Sequence, residues 1–119
     1  FGKNIDEAII VDVSFGVSPG ADPNHCGECE KGAMIGVSPI LDKKMRDTLI
    51  EISEKNKIPY QLEAMSGITS TDADVVTVTE SGIKTALISI PIKYMHTPIE
   101  TVYLDDIKAV SDLITEYLK

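Results

Sequence analysis

TALISIPIKYMHTPIE, residues 85 to 100, is the stretch on which the reading of this chain turns. Its apolar, β-branched run from Ala86 to Ile92, breaking at Pro91, has the character of a buried parallel strand. Lys93, Tyr94 and Met95 then lead to His96, in a turn closed by Pro98. In open α/β sheets, ligands bind in the crevice outside the carboxyl ends of the strands, where that turn falls. His96 is therefore a candidate site residue. The alternative is a histidine that makes surface hydrogen bonds in a turn.

Around this stretch the 119 residues suffice for one domain. Hydrophobic residues at 43% and charged residues at 25% are ordinary globular usage, which excludes a disordered or fibrous chain. With no Trp and only two Phe, aliphatic side chains must fill the core. A net charge of −8 argues against nucleic-acid binding, which needs clustered Lys and Arg. No apolar run reaches the length of a membrane span or resembles a signal peptide, so the expectation is a cytoplasmic protein without a membrane partner. Phe1 is not an initiator Met, and the chain reads as a piece of something longer.

Ala8 to Val13 (AIIVDV) is a second apolar run, interrupted by one charge, Asp12. A carboxylate near the end of a buried strand is costly unless it is paired or binds a metal; here it either does so or caps the next loop. Ser14 to Gly36, rich in Gly and without periodicity, reads as one long loop. Within it NHCGEC places His25 beside Cys26 and Cys29. That spacing serves zinc sites and redox pairs, but a closed zinc site takes four ligands and no second Cys pair exists, so two reduced thiols are expected.

Pro39 to Lys57 has helical periodicity through Leu41, Met45, Leu49 and Ile52, with Ser38 as N-cap and Pro39 at the first position. Ile58 to Ala64 alternates as an edge strand would. Ser66 to Asp74 (SGITSTDAD) is a loop running into a helix over Asp72 to Ser81, which Thr71 or Asp72 can cap and Gly82 closes. Leu104 to Lys119 is a last amphipathic helix, with Asp105 and Asp106 favourably placed in its first turn. Alternating strands and helices predict an α/β fold, a three-layer α/β/α arrangement with a largely parallel sheet.

GITSTDAD, followed by ESGIKTALISIPIKYMHTPIETVYLDDI, together with the upstream AIIVDVS, closely resembles the C-terminal part of the dinuclear-metal aminopeptidases that form tetrahedral particles, called glutamyl or deblocking aminopeptidases. The resemblance runs along nearly the whole chain, and VDV with a downstream YMHTPIE is far more specific than a lone His or Asp. Some members bear a cellulase or endoglucanase label, but glycoside hydrolysis needs a matched carboxylate pair that this sequence does not display.

The resemblance implies that residues 1–119 are the C-terminal portion of a zinc-peptidase-like catalytic domain, without its upstream part and its PA-like dimerisation domain. It implies that Asp12 and His96 ligate different ions of a zinc or cobalt pair. The family's first His, bridging Asp and adjacent Glu residues, including the general base, lie upstream. Tyr94 and Glu100 are then candidates to support the ligands, and Thr71 and Asp72 to line the site. The loop through Cys26 and Cys29 departs most from the family pattern. Implied partners are peptide substrates and further copies of the chain.

Three expectations follow from these residues. The chain alone should be inactive as a peptidase, because catalytic groups that act together fail together. Its exposed sheet edge should cause self-association. The Asp12 carboxylate and the His96 imidazole should lie within about 8 Å of each other, the span set by two ligand bonds and the spacing of a metal pair. A second class of function, a non-catalytic α/β interaction or regulatory module, would keep the fold without the site.

Overall fold

A computed structural model of the chain describes residues 6–16, 27–65, 71, 73–76, 83–94 and 98–119. In order its elements are β1 (Glu7–Phe15), β2 (Ala33–Val37), α1 (Lys43–Lys55), β3 (Tyr60–Ala64), α2 (Ala73–Val76), β4 (Lys84–Lys93), β5 (Thr101–Val102) and α3 (Leu104–Tyr117). The strands make one five-stranded sheet in the order β1-β4-β2-β3, with β5 also on β4. The α/β class holds, and the expected parallel pairing holds within β1–β4 and β2–β3. The two pairs join through an antiparallel contact of β2 with β4, so the sheet is mixed.

β4 is the strand on which the sheet is built. Its side chains from Thr85 to Ser89 are all buried, as the apolar run demands. The expected break at Pro91 does not occur, and the strand continues to Lys93. The pairing explains why. β2 meets β4 at Ile88 and Ser89, and β5 meets it at Ile92 and Lys93. The proline, which lacks an N–H, thus occupies the gap between two successive partners.

Strand alternation divides the core between two faces. On one, Ala33, Ile35, Ala86 and Ile88 pack with Met45 and Leu49 of α1 and with Ala109, Val110 and Leu113 of α3. On the other, Leu87 packs with Leu41 and with Ala73 of α2. β2 lies inside what the sequence reads as one long loop. Its five residues, AMIGV, are too few to show a period beside the Gly-rich stretch, and at Gly36 the backbone lies close to its neighbours, a Cβ there coming within 3.0 Å of Leu41 and 3.2 Å of Leu87.

The start of α1 also departs from expectation. The helix begins at Lys43, not after Ser38, and Asp42 is its N-cap, accepting from the Met45 N–H at 2.9 Å. Ser38 instead belongs to a turn closed by the Leu41 N–H to its carbonyl at 3.0 Å. Both residues can cap a helix; the bond from the Asp42 N–H to the Thr85 carbonyl at 2.9 Å anchors the second one to β4.

Asp106 does more than complement a helix dipole. It is 1% exposed in α3, and its two carboxylate oxygens accept the N–H groups of Glu30 at 2.8 Å and Gly32 at 2.9 Å. Gln61 of β3 holds the same segment, accepting from the Glu28 N–H at 2.9 Å and donating to the Glu28 carbonyl at 2.8 Å. Gly32 has φ of +95°, and a Cβ there would stand 2.1 Å from the Pro59 carbonyl oxygen. Residues 27–32 are therefore fixed by α3, β3 and a glycine-only backbone together.

Candidate functional site

Asp12 lies in β1 directly opposite Ser89 of β4 in the parallel register, two residues before Ser14 faces Pro91. Alternation puts Asp12, Ser14 and Ser89 on the face of the sheet that carries Leu87 and α2. Asp12 is half-buried, and its Oδ1 accepts the N–H of Val13 at 2.7 Å. The same register brings the carboxyl ends of β1 and β4 to one edge, and the Gly16 N–H donates to the Ile92 carbonyl at 2.7 Å.

A second carboxylate joins this polar patch on the same face, from the opposite edge of the sheet. Glu63 of β3 accepts a hydrogen bond from the Ser14 hydroxyl through Oε2. Its Oε1 is buried without a hydrogen-bond partner. Burial pushes the Glu63 carboxyl up from its ordinary value, hydrogen bonds from Ser14 and Ser89 oppose that shift, and the Asp12 charge adds to it. In the sequence Glu63 is one polar position of an alternating edge strand, a pattern that normally means a solvated side chain, so it gave no signal.

His96, the other ligand implied by the resemblance, lies outside the described residues, as do His25, Cys26 and Asp72; β4 ends at Lys93, three positions before His96. Among the supporting candidates, Tyr94 is 45% exposed and has φ of +60°. For a residue with a Cβ that conformation costs about 1 kcal/mol or more, and strain of this kind gathers at sites where the chain must turn to present a side chain. Glu100 is exposed just before β5. Thr71 accepts the Ala73 N–H at 3.2 Å through its hydroxyl, which is the capping role open to it. Cys29 carries a free thiol, and burial, followed by the Asp106 charge, pushes its pKa up against the pull of Lys93. It is therefore no activated thiolate.

Among the described residues no group of three or more His, Cys, Asp and Glu side chains could hold a metal ion. Of the two ligands the resemblance implies, only the Asp12 carboxylate lies among the described residues, and a carboxylate oxygen is a donor that zinc and its neighbours in the first transition row accept. Asp12 fits as one donor of a larger set.

The model of the M42 glutamyl aminopeptidase family matches residues 1–113, a span that contains both Asp12 and His96. The chain belongs to the M42 glutamyl aminopeptidase family. It is 35% identical over 100 residues to a lysyl aminopeptidase of Pyrococcus furiosus, covering 84% of this chain and 29% of that protein. It is 37% identical over 120 residues to a putative aminopeptidase of Acetivibrio thermocellus, covering 98% of this chain and 36% of that one. This M42 chain thus spans about a third of the curated relatives it matches.

Its fold superimposes on aminopeptidase APDkam598 of the archaeon Desulfurococcus kamchatkensis with a TM-score of 0.84 at 33% identity, over 94% of this chain and 33% of that one. The TET1 peptidase of Pyrococcus horikoshii, described as able to assemble into a tetrahedron or a large octahedral shell, matches with a TM-score of 0.66 at 29% identity, over 92% and 32%. Some M42 neighbours are named endoglucanase, among them a putative peptidase/endoglucanase at 38% identity and a TM-score of 0.74, covering 92% of this chain and 33% of that one. Among the described residues of this member no helix is long and apolar enough to cross a membrane.

Proposed function

We propose that residues 1–119 are the C-terminal portion of the catalytic domain of a metal-dependent aminopeptidase, which releases N-terminal residues from peptides. The observation that carries this reading is the family match over residues 1–113, which holds Asp12 and His96 in one span. The parallel register of β1 and β4 supports it, since both strands deliver their carboxyl ends to the edge where α/β sheets keep their chemistry.

In this reading the Asp12 carboxylate holds one of two divalent ions, zinc or cobalt, and the His96 imidazole holds the other. When bound, such a pair polarises the scissile carbonyl and acidifies the attacking water. The chain's own residues bind and orient: Asp12 stays on its strand with Oδ1 fixed by the Val13 N–H, and Tyr94 and Glu100, which flank His96 in sequence, support the ligands. Thr71 and Asp72, which precede α2 in sequence, are the substrate-lining candidates of the same reading. No side chain of this chain acts as the general base, so 1–119 alone is inactive. Oligomeric assembly with further copies and a cytoplasmic setting belong to the same reading, the first supported by the assembly described for TET1.

Complementation tests this. The chain is combined with the remainder of the Acetivibrio thermocellus relative, and metal-dependent release of amino acids from peptides is measured. Neither piece should be active alone. The pair should be active, and Asp12→Ala and His96→Ala should each lower kcat/KM about 100-fold or more. Full activity of the chain by itself, or of both variants in the complemented pair, would refute the reading.

A further inference from the structure

We propose that Glu63 is a positioning residue for the metal site: by accepting the Ser14 hydroxyl it holds that proton away from Asp12 and keeps the Asp12 carboxylate open to a cation. The inference rests on the metal-dependent reading above. Ser14 stands two residues beyond Asp12 in β1 and so on the same face of the sheet, and Ser89 of β4 lies directly opposite Asp12. Two hydroxyls therefore share a face with the carboxylate that the reading assigns to a metal.

A serine has one O–H to give, and an ionised carboxylate only accepts. With no other acceptor on that face, the Ser14 proton would turn to Asp12. It would then occupy a lone pair that a cation needs and draw off part of the charge, so metal would have to displace it. In the structure Ser14 donates instead to Glu63 Oε2, and the Ser89 hydroxyl also acts on Glu63. The Asp12 carboxylate takes the Val13 N–H of its own strand, 2.7 Å from Oδ1.

The strands permit this reach. Glu63 is the register partner of Gly36, so β2 puts no side chain between Glu63 and β4 at that level. The arrangement also costs stability, because Glu63 Oε1 is buried without a hydrogen-bond partner, and a buried polar atom left unpaired is destabilising. Packing alone would favour an apolar residue at that position. A local rule broken at a cost is expected where a residue serves the site rather than the fold.

Three variants separate this role from a structural one: Glu63→Leu, Glu63→Gln, and Glu63→Leu combined with Ser14→Ala. Gln keeps an acceptor for the Ser14 hydroxyl and Leu does not. In crystal structures of the metal-free 119-residue chain, Ser14 Oγ should lie within about 3 Å of an Asp12 oxygen in E63L, and should still meet the side chain at position 63 in E63Q. Co²⁺ is then titrated into the complemented pair and its visible absorption followed. E63L should weaken Co²⁺ binding about 10-fold or more, whereas E63Q and E63L/S14A should stay within about 3-fold of the parent. Glu63→Met, closer in shape to the acid, should repeat the result of E63L. A Ser14 hydroxyl that ignores Asp12 in E63L, Co²⁺ binding unchanged by E63L and E63M, or a loss that S14A does not relieve would each overturn the proposal. Asp12→Ala tells the two levels apart. If it too leaves Co²⁺ binding unchanged, the metal reading falls and this inference with it; if it weakens binding and E63L does not, only the role of Glu63 falls.

Discussion

Replacing Asp106 by Ala should unfasten the segment between β1 and β2. The carboxylate is buried in α3 and accepts two backbone N–H groups, from Glu30 at 2.8 Å and Gly32 at 2.9 Å. A hydrogen bond to a charged acceptor contributes about 1.5–3 kcal/mol. Water can replace the acceptor at exposed Glu30, so that share falls at the low end. Gly32 is buried, and its donor would be left unpaired, which places its share at the high end. The sum is about 4 kcal/mol, a large part of the roughly 5–15 kcal/mol that holds a domain together. At about 3–5 °C per kcal/mol for a domain of this size, Tm should fall by about 12–20 °C.

Asp106→Asn keeps the volume but turns a donor toward one of the two N–H groups, and should lose about half as much or more. Urea and thermal unfolding at one fixed protein concentration read the loss, since association shifts apparent stability. Hydrogen exchange should locate it at the Glu30 and Gly32 amides. Both variants within about 0.5 kcal/mol of the parent, the range of an ordinary surface change, would refute the role given to Asp106.

Gly32→Ala should cost about 3 kcal/mol or more in urea titrations, because the new Cβ meets the Pro59 carbonyl at 2.1 Å on a backbone with φ of +95°. A cost below about 1 kcal/mol would mean that the segment yields easily. Glu63→Gln should make the chain more stable at pH 7 and leave it unchanged near pH 4. The sign follows from burial, which raises the folded-state pKa of Glu63 above its unfolded value. Its folded state therefore holds the proton more tightly, and the contribution present below the unfolded pKa is lost as pH rises through the folded one. Unfolding free energies of parent and variant that run parallel from pH 4 to 7 would contradict this.

Local pattern was enough wherever an element carries its own signature. β4 and β1 are continuous apolar runs, and Met45 and Leu49 of α1 and Val110 and Leu113 of α3 fall at helical spacing on the buried faces. β2 was hidden because five apolar residues with a Gly among them, after a Gly-rich segment, look like more loop. Its place next to β4, antiparallel, is a tertiary choice that no local pattern encodes. The start of α1 shows the same limit at the scale of one residue. Ser38 followed by Pro39 is a sound capping signal, yet Asp42 caps the helix, and the contact that anchors it there comes from Thr85.

The carboxylates of the sheet and of α3 follow a related logic. Asp12 stood out because a charge inside an apolar run contradicts its surroundings, and contradiction is what a sequence can display. Glu63 and Asp106 contradict nothing: one occupies a polar position of an alternating strand, the other the first turn of a helix, where acids are welcome. Their burial arises only when Ser14 reaches the first and Glu30 and Gly32 reach the second across long stretches of chain. A buried acid whose local setting already explains it is therefore invisible until its partners are placed. Two of the three carboxylates that organise this half of the molecule are of that kind, and they tie the strand bearing Asp12 and the segment beyond it to β3 and α3.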